Sequence, residues 1–72
     1  MYDFKRLAEK WPSQVVARSE VRLFTGGIIS SKSLANAESL GTGPQSHRYG
    51  KKVFYDIDDL VTWLQARQGV NR

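Results

Sequence analysis

The chain has no cysteine, one histidine, one methionine and two prolines among its 72 residues. Without cysteine there is no disulfide framework and no thiolate metal site, a composition that suits a reducing cytoplasm. A lone His47 leaves too few groups to assemble a nucleophile, a base and an orienting residue, so no enzyme is expected. No apolar run approaches the roughly 18 residues of a membrane span, and the N-terminus lacks the apolar block of a signal peptide. There is no repeat, low-complexity run or internal linker. A chain this short is one small domain that buries only about 60% of its unfolded surface. Each large apolar side chain is then needed for the core, and a buried pocket for a cofactor is hard to fit. Hydrophobic residues at 40% and charged residues at 25% are ordinary for a globular domain.

Acidic residues are also few, seven against eleven Lys and Arg, giving a net charge of +4. Residues 1–27 carry Lys5, Arg6, Lys10, Arg18 and Arg22 against Asp3, Glu9 and Glu20. Residues 28–55 carry Lys32, Arg48, Lys51 and Lys52 against Glu38 alone, while residues 56–72 turn acidic through Asp56, Asp58 and Asp59. A one-sided basic surface suits a polyanion; a basic protein without such a partner is the alternative.

Phe4, Leu7, Ala8 and Trp11 recur at the spacing of one helical face, and Pro12 closes that segment. Such a short terminal helix is marginal alone. Gln14 to Ala17 reads as an extended lead-in. Ser19 is placed to cap a helix over Glu20–Phe24, with Val21 and Phe24 on one face, Leu23 beside it and Arg22 outward. Arg18 precedes that helix, where a phosphate can meet free backbone amides. Gly26-Gly27 ends it, and Ser30 caps the next helix with Ile29 and Leu34 in staple positions. Two helices around a tight glycine turn are the core of a helix-turn-helix.

In the second helix Leu34, Ala37 and Leu40 are expected to face inward, and Lys32, Ala35, Asn36 and Ser39 outward. The outer face has little bulk and little charge, so it can approach another surface closely. Asn36 can pair with adenine through two hydrogen bonds, and Ser and Ala suit close contact with base edges. A solvated helix face has the same composition. Gly41-Thr42-Gly43-Pro44 makes a tight link; it lacks the Lys-Ser/Thr of a phosphate-binding loop.

Ser46–Tyr49 and Lys52–Tyr55 read as two strands around Gly50-Lys51, with Val53 and Tyr55 packing and Lys52 and Phe54 on the wet face. Arg48, Lys51 and Lys52 are expected to converge at the hairpin tip, which could lie along phosphates or enter a minor groove. The alternative is an edge hairpin kept soluble by its charges. His47 is read as a polar strand residue. Asp56 and Asp59 are placed as a capping pair for a helix over Ile57–Arg67, with Tyr55 and Leu60 as its staple and Leu60, Val61, Trp63 and Leu64 as its apolar side. The first-turn aspartates suit the helix dipole better than a metal site.

The order of Ser19-Glu20-Val21, Phe24-Thr25-Gly26-Gly27-Ile28-Ile29-Ser30, Leu34-Ala35-Asn36, Gly41-Thr42-Gly43-Pro44, Gly50-Lys51-Lys52-Val53-Phe54-Tyr55 and Asp59-Leu60-Val61-Thr62-Trp63-Leu64 resembles small winged-helix proteins of the excisionase type. These recombination directionality factors are related to MerR-type DNA-binding domains. The likeness spans about residues 15–66, and its most specific parts are the Gly-Thr-Gly-Pro bend and the Gly-Lys-Lys-Val-Phe-Tyr to Leu-Val-Thr-Trp-Leu ending.

The resemblance implies an α+β winged helix-turn-helix over residues 14–67, preceded by a helical segment, 1–13, and followed by a mobile tail, 68–72. By position, Ser31, Lys32, Ser33 and Asn36 would read bases, Arg48, Lys51 and Lys52 would be wing contacts, and Arg18 and Arg22 would meet the DNA backbone. The expected role is a cytoplasmic, nucleoid-associated factor without cofactor or metal. It would bind and bend double-stranded DNA, self-associate cooperatively there and direct excision of a mobile element by a tyrosine recombinase (integrase). A winged-helix transcriptional regulator is one alternative, and an adaptor whose helix and hairpin bind an acidic protein is another.

Overall fold

A computed structural model describes residues 2–68. Four helices surround a three-stranded antiparallel sheet: α1 (Lys5–Lys10), β1 (Val15–Ala17), a 3-10 turn (Arg18–Glu20) running into α2 (Val21–Phe24), α3 (Ser31–Ser39), β2 (His47–Tyr49), β3 (Lys52–Asp56) and α4 (Ile57–Gln68). This is the α+β arrangement of a small winged helix-turn-helix, with α2 and α3 as the helix pair and β2–β3 as the wing.

The expected lead-in at Val15–Ala17 is a third strand. β1 pairs with β3 in the register Val15↔Asp56, Val16↔Tyr55, Ala17↔Phe54, and β2 pairs on the other side as His47↔Phe54, Arg48↔Val53, Tyr49↔Lys52. β3 is therefore central. The free edge of β1 is closed by its neighbours. Trp11 Nε1 donates to Val15 O (2.9 Å), Val15 N–H donates to Ser13 Oγ (3.1 Å), and Ala17 N–H donates to Glu20 Oε1 (3.2 Å). That last bond replaces the expected Ser19 cap: the 3-10 turn starts directly after Ala17, and Ser19 is exposed.

Val16, Val21, Phe24, Leu34, Tyr55, Ile57, Leu60, Val61 and Leu64 form one core, which Phe4 joins from just before α1. Leu7, Ala8 and Trp11 pack against it half-buried. The N-terminal segment is tied further to α4: Phe4 N–H donates to Gln65 Oε1 (2.8 Å), and Tyr2 N–H to Gln68 Oε1 (3.0 Å). Gln68, expected in the tail, is thus the last residue of α4; residues 69–72 lie outside the described residues.

Thr25 is 2% exposed in the turn after α2. Its hydroxyl donates to Val21 O (2.9 Å) and accepts from Ile29 N–H (3.1 Å), so one side chain sets the exit from α2 and the entry to α3. The Ser30 cap forms as expected, with Ser33 N–H donating to Ser30 Oγ (3.1 Å).

Leu40 is a correction: it is 78% exposed. At about 100° per residue, steps of three precess by about 60° each, so Leu40 lies about 120° from Leu34. Glu38, about 40° from Leu34, turns inward instead. Leu23, beside the buried face of α2, is likewise 77% exposed.

The link after α3 is held from both sides. Thr42 N–H and Oγ1 both donate to Ala37 O (2.8 and 3.2 Å), while Trp63 Nε1 of α4 donates to Thr42 O (2.8 Å). At the α4 start, Asp58 N–H donates to Asp56 Oδ2 (3.2 Å), so the cap runs to the second rather than the third residue after Asp56. Asp58 and Asp59 add negative charge in the first turn, where the helix dipole favours it.

Burial separates two leucines of one segment. Leu34→Ala should cost about 2–5 kcal/mol in urea unfolding, as for other core leucines. Leu40→Ala should change stability by no more than about 0.5 kcal/mol.

Candidate nucleic-acid interface

The face of α3 away from the core is built from short side chains. Ser31, Lys32, Ser33, Asn36 and Ser39 are exposed and Ala35 is half-buried. Ser33 is also part of the cap, because Ser30 Oγ donates to its hydroxyl (3.1 Å). Lys32 and Asn36 are one turn apart, so they lie on the same side of α3.

The wing is a two-residue hairpin. Gly50 occupies the first central position with φ +61°, the conformation a type II′ turn needs there. Strand register divides its cations. Residues opposite each other share a face, so Arg48 sides with Val53 and Tyr55, while Lys52 sides with Tyr49, Phe54 and His47. The expected convergence of three cations is corrected accordingly: Arg48 and Lys52 emerge on opposite faces and Lys51 sits in the turn between them. Tyr55 bonds Glu38 of α3, so Arg48 lies on the sheet face that turns toward α3.

The opposite sheet face borders an open, mainly apolar groove of about 720 Å³, whose lining includes Trp11, Leu23, Tyr49 and Phe54 together with the charged Lys10, Glu20 and Lys52. His47 lies over Phe54 on that side, ring centroids 5.4 Å apart.

The most connected polar group was not foreseen. Tyr55 is buried, and its hydroxyl donates to Glu38 Oε2 (2.5 Å) and accepts from Arg18 Nε (3.1 Å). Arg18 Nη2 is paired with Glu38 Oε1, so three side chains from three segments bond in a closed ring. Burial comes first among the causes that raise the Tyr55 phenol above its ordinary value, and its hydrogen bond to the Glu38 carboxylate adds to them. The Arg18 guanidinium is also raised, chiefly by its bond to the Tyr55 oxygen.

Gly43 lies against this ring. A Cβ at Gly43 would stand 2.8 Å from Glu38 Cγ and 3.1 Å from its backbone nitrogen, so the link passes too close for any side chain.

Arg18, expected at the DNA backbone, bonds Tyr55 through Nε and Glu38 through Nη2 while its side chain stays 26% exposed. Arg18–Glu38 is the ion pair among the described residues, leaving Arg22, Lys32, Arg48, Lys51 and Lys52 exposed without an acidic partner. No His, Asp and Glu side chains among the described residues gather as a metal site, and no helix is long and apolar enough to cross a membrane. The sequence signals for Glu38 were its place near Leu34 on the α3 wheel and its isolation among basic residues.

The chain matches no protein-family model and no curated protein sequence.

The ring makes stability sensitive to alkali. The folded-state phenol is raised, so its contribution is complete below the unfolded value of about 10 and is lost as pH rises through the folded value. Thermal melts of the wild type should therefore show a loss above pH of about 10 that Tyr55→Phe lacks. At neutral pH the same substitution should cost about 1.5–3 kcal/mol, as for a hydrogen bond to a charged partner.

Proposed function

We propose that the protein is a sequence-specific DNA-binding accessory factor of the excisionase type. In this reading α3 lies in the major groove, the β2–β3 wing follows the backbone or the adjacent minor groove, and the bound DNA is bent. A tyrosine recombinase acting on a mobile element supplies the chemistry. The observation that carries the reading is the pairing of a low-relief polar helix face, Ser31, Lys32 and Asn36, with a hairpin whose Arg48 and Lys51 have no acidic partner among the described residues.

The roles are uneven. Asn36 suits base readout, Lys32 reads bases or meets phosphate, and Ser31 lies at the amino end of α3. Ser33 is mainly a capping residue. Arg48 and Lys51 are the wing contacts, Lys52 serves the opposite side, and Arg22 remains available to the backbone. One module of this size buries about 600–1,000 Å² against DNA, so useful affinity calls for several protomers side by side.

A transcriptional regulator would use the same DNA mode; a footprint beside an attachment site rather than over a promoter, with an excision assay, separates the two. An adaptor for an acidic protein would bind no duplex. Titration of a duplex at several salt concentrations tests the DNA reading. Affinity should fall steeply between about 50 and about 200 mM salt, and no binding at low salt overturns it.

Two variants sharpen the assignment. Asn36→Ala should cost roughly 1–3 kcal/mol at one base pair and relax preference there. An equal loss on every sequence removes Asn36 from readout. Lys51→Ala should weaken all duplexes alike and lower the logarithmic salt slope by about 1.

A further inference from the structure

We propose that the Arg18–Glu38–Tyr55 ring sets the angle of α3 against the wing, making Tyr55, Glu38 and Gly43 positioning residues for a surface they do not touch. For its ligand-binding consequence the inference rests on the DNA reading; its conformational consequence stands apart from it.

The apolar contribution of α3 to the core is slight. Only Leu34 and Ala37 of this nine-residue helix are buried. Apolar contact is non-directional, so two such residues resist separation far better than rotation. Among the described residues, Glu38 makes the side-chain hydrogen bonds from α3 to the sheet and to the 3-10 turn. Both carboxylate oxygens are used, one for each partner. The partners lie 20 and 17 residues away along the chain, and they bond each other across 37. A closed ring of three has no free hinge, since moving any member strains two bonds.

Position converts this into function. Tyr55 lies on β3 three residues beyond Lys52, where the wing turn ends, so it reports the wing's orientation directly. Lys32 lies six residues from Glu38, about 9 Å along the helix. A swing of about 10° about Glu38 would displace Lys32 by about 1.5 Å, several times the width of the usual hydrogen-bond range. Phosphate contacts through long flexible side chains would tolerate that shift; base contacts would not. Gly43 completes the device sterically, because its missing side chain lets the link press on Glu38 from behind.

The test uses the full chain with three substitutions: Tyr55→Phe, which removes the bridging hydroxyl; Gly43→Ala, which keeps all three polar groups but displaces Glu38; and Val61→Ala, a core substitution away from the ring as a stability control. The first readout is the backbone amide residual dipolar couplings of α3 and the sheet, without DNA. In the wild type and Val61→Ala both elements should fit one alignment frame. In Tyr55→Phe and Gly43→Ala the α3 couplings should depart from it.

The second readout compares the tightest duplex recovered from a randomised 20-base-pair pool with its shuffled counterpart. Tyr55→Phe and Gly43→Ala should lose about tenfold in discrimination, the scale of one base contact, with the salt slope unchanged. Unaltered α3 orientation in both ring variants, or an equal loss of discrimination in Val61→Ala, would overturn the proposal. If the wild type prefers no duplex, the DNA reading fails instead, and the couplings alone decide the role of the ring.

Discussion

The fold turns on a compromise at Tyr55. Its ring is fully buried at the centre of the sheet, yet its hydroxyl cannot be left unpaired there without a penalty of about 1–3 kcal/mol. Glu38 and Arg18 resolve this at the boundary of the core, and no buried side-chain polar atom among the described residues lacks a partner. The solution obliges α3, the 3-10 turn and β3 to meet at one point. In a chain with so little core, that obligation does much of what a thicker apolar layer does in a larger domain.

Elsewhere, tryptophan and threonine hold loops by the same economy. Trp11 and Trp63 present apolar faces to the core while their indole nitrogens donate to Val15 O and Thr42 O. Thr25 serves both sides of the turn between α2 and α3. The links after α1, α2 and α3 are thereby each fixed by a side chain that also packs. The helix-turn-helix needs no long helix to be well defined; α2 is only four residues.

Much of the architecture was legible in the sequence because its signals are local. Ser30 with Leu34, Gly26-Gly27, Gly50-Lys51 between alternating strands, and Asp56 before Leu60 are short-range patterns, and each marks the element boundary it suggests within a residue or two. What was not legible is non-local. β1 is three residues, too short for alternation to declare itself, and its partner lies about forty residues downstream. Leu40 misled because a run of threes looks like a helical stripe while drifting off it. Glu38 looked like an ordinary surface charge and Arg18 like a phosphate contact, and only the fold brings Tyr55 between them. For the exposed candidates, Ser31, Lys32, Asn36, Arg48 and Lys51, residue type carried the signal, and the fold adds which side of the ribbon each cation occupies.

The closed edge of β1 has a bearing on assembly. A sheet with two open edges can recruit identical sheets without limit. Here Trp11, Ser13 and Glu20 occupy the outward backbone groups of β1, so only β2 can accept another strand. Two copies joined through β2 would use up the available edges and stop as a closed pair. Edge-to-edge growth into fibres is therefore barred by geometry rather than by charge alone, and any array of copies longer than two has to be held by side-chain surfaces or by a shared template.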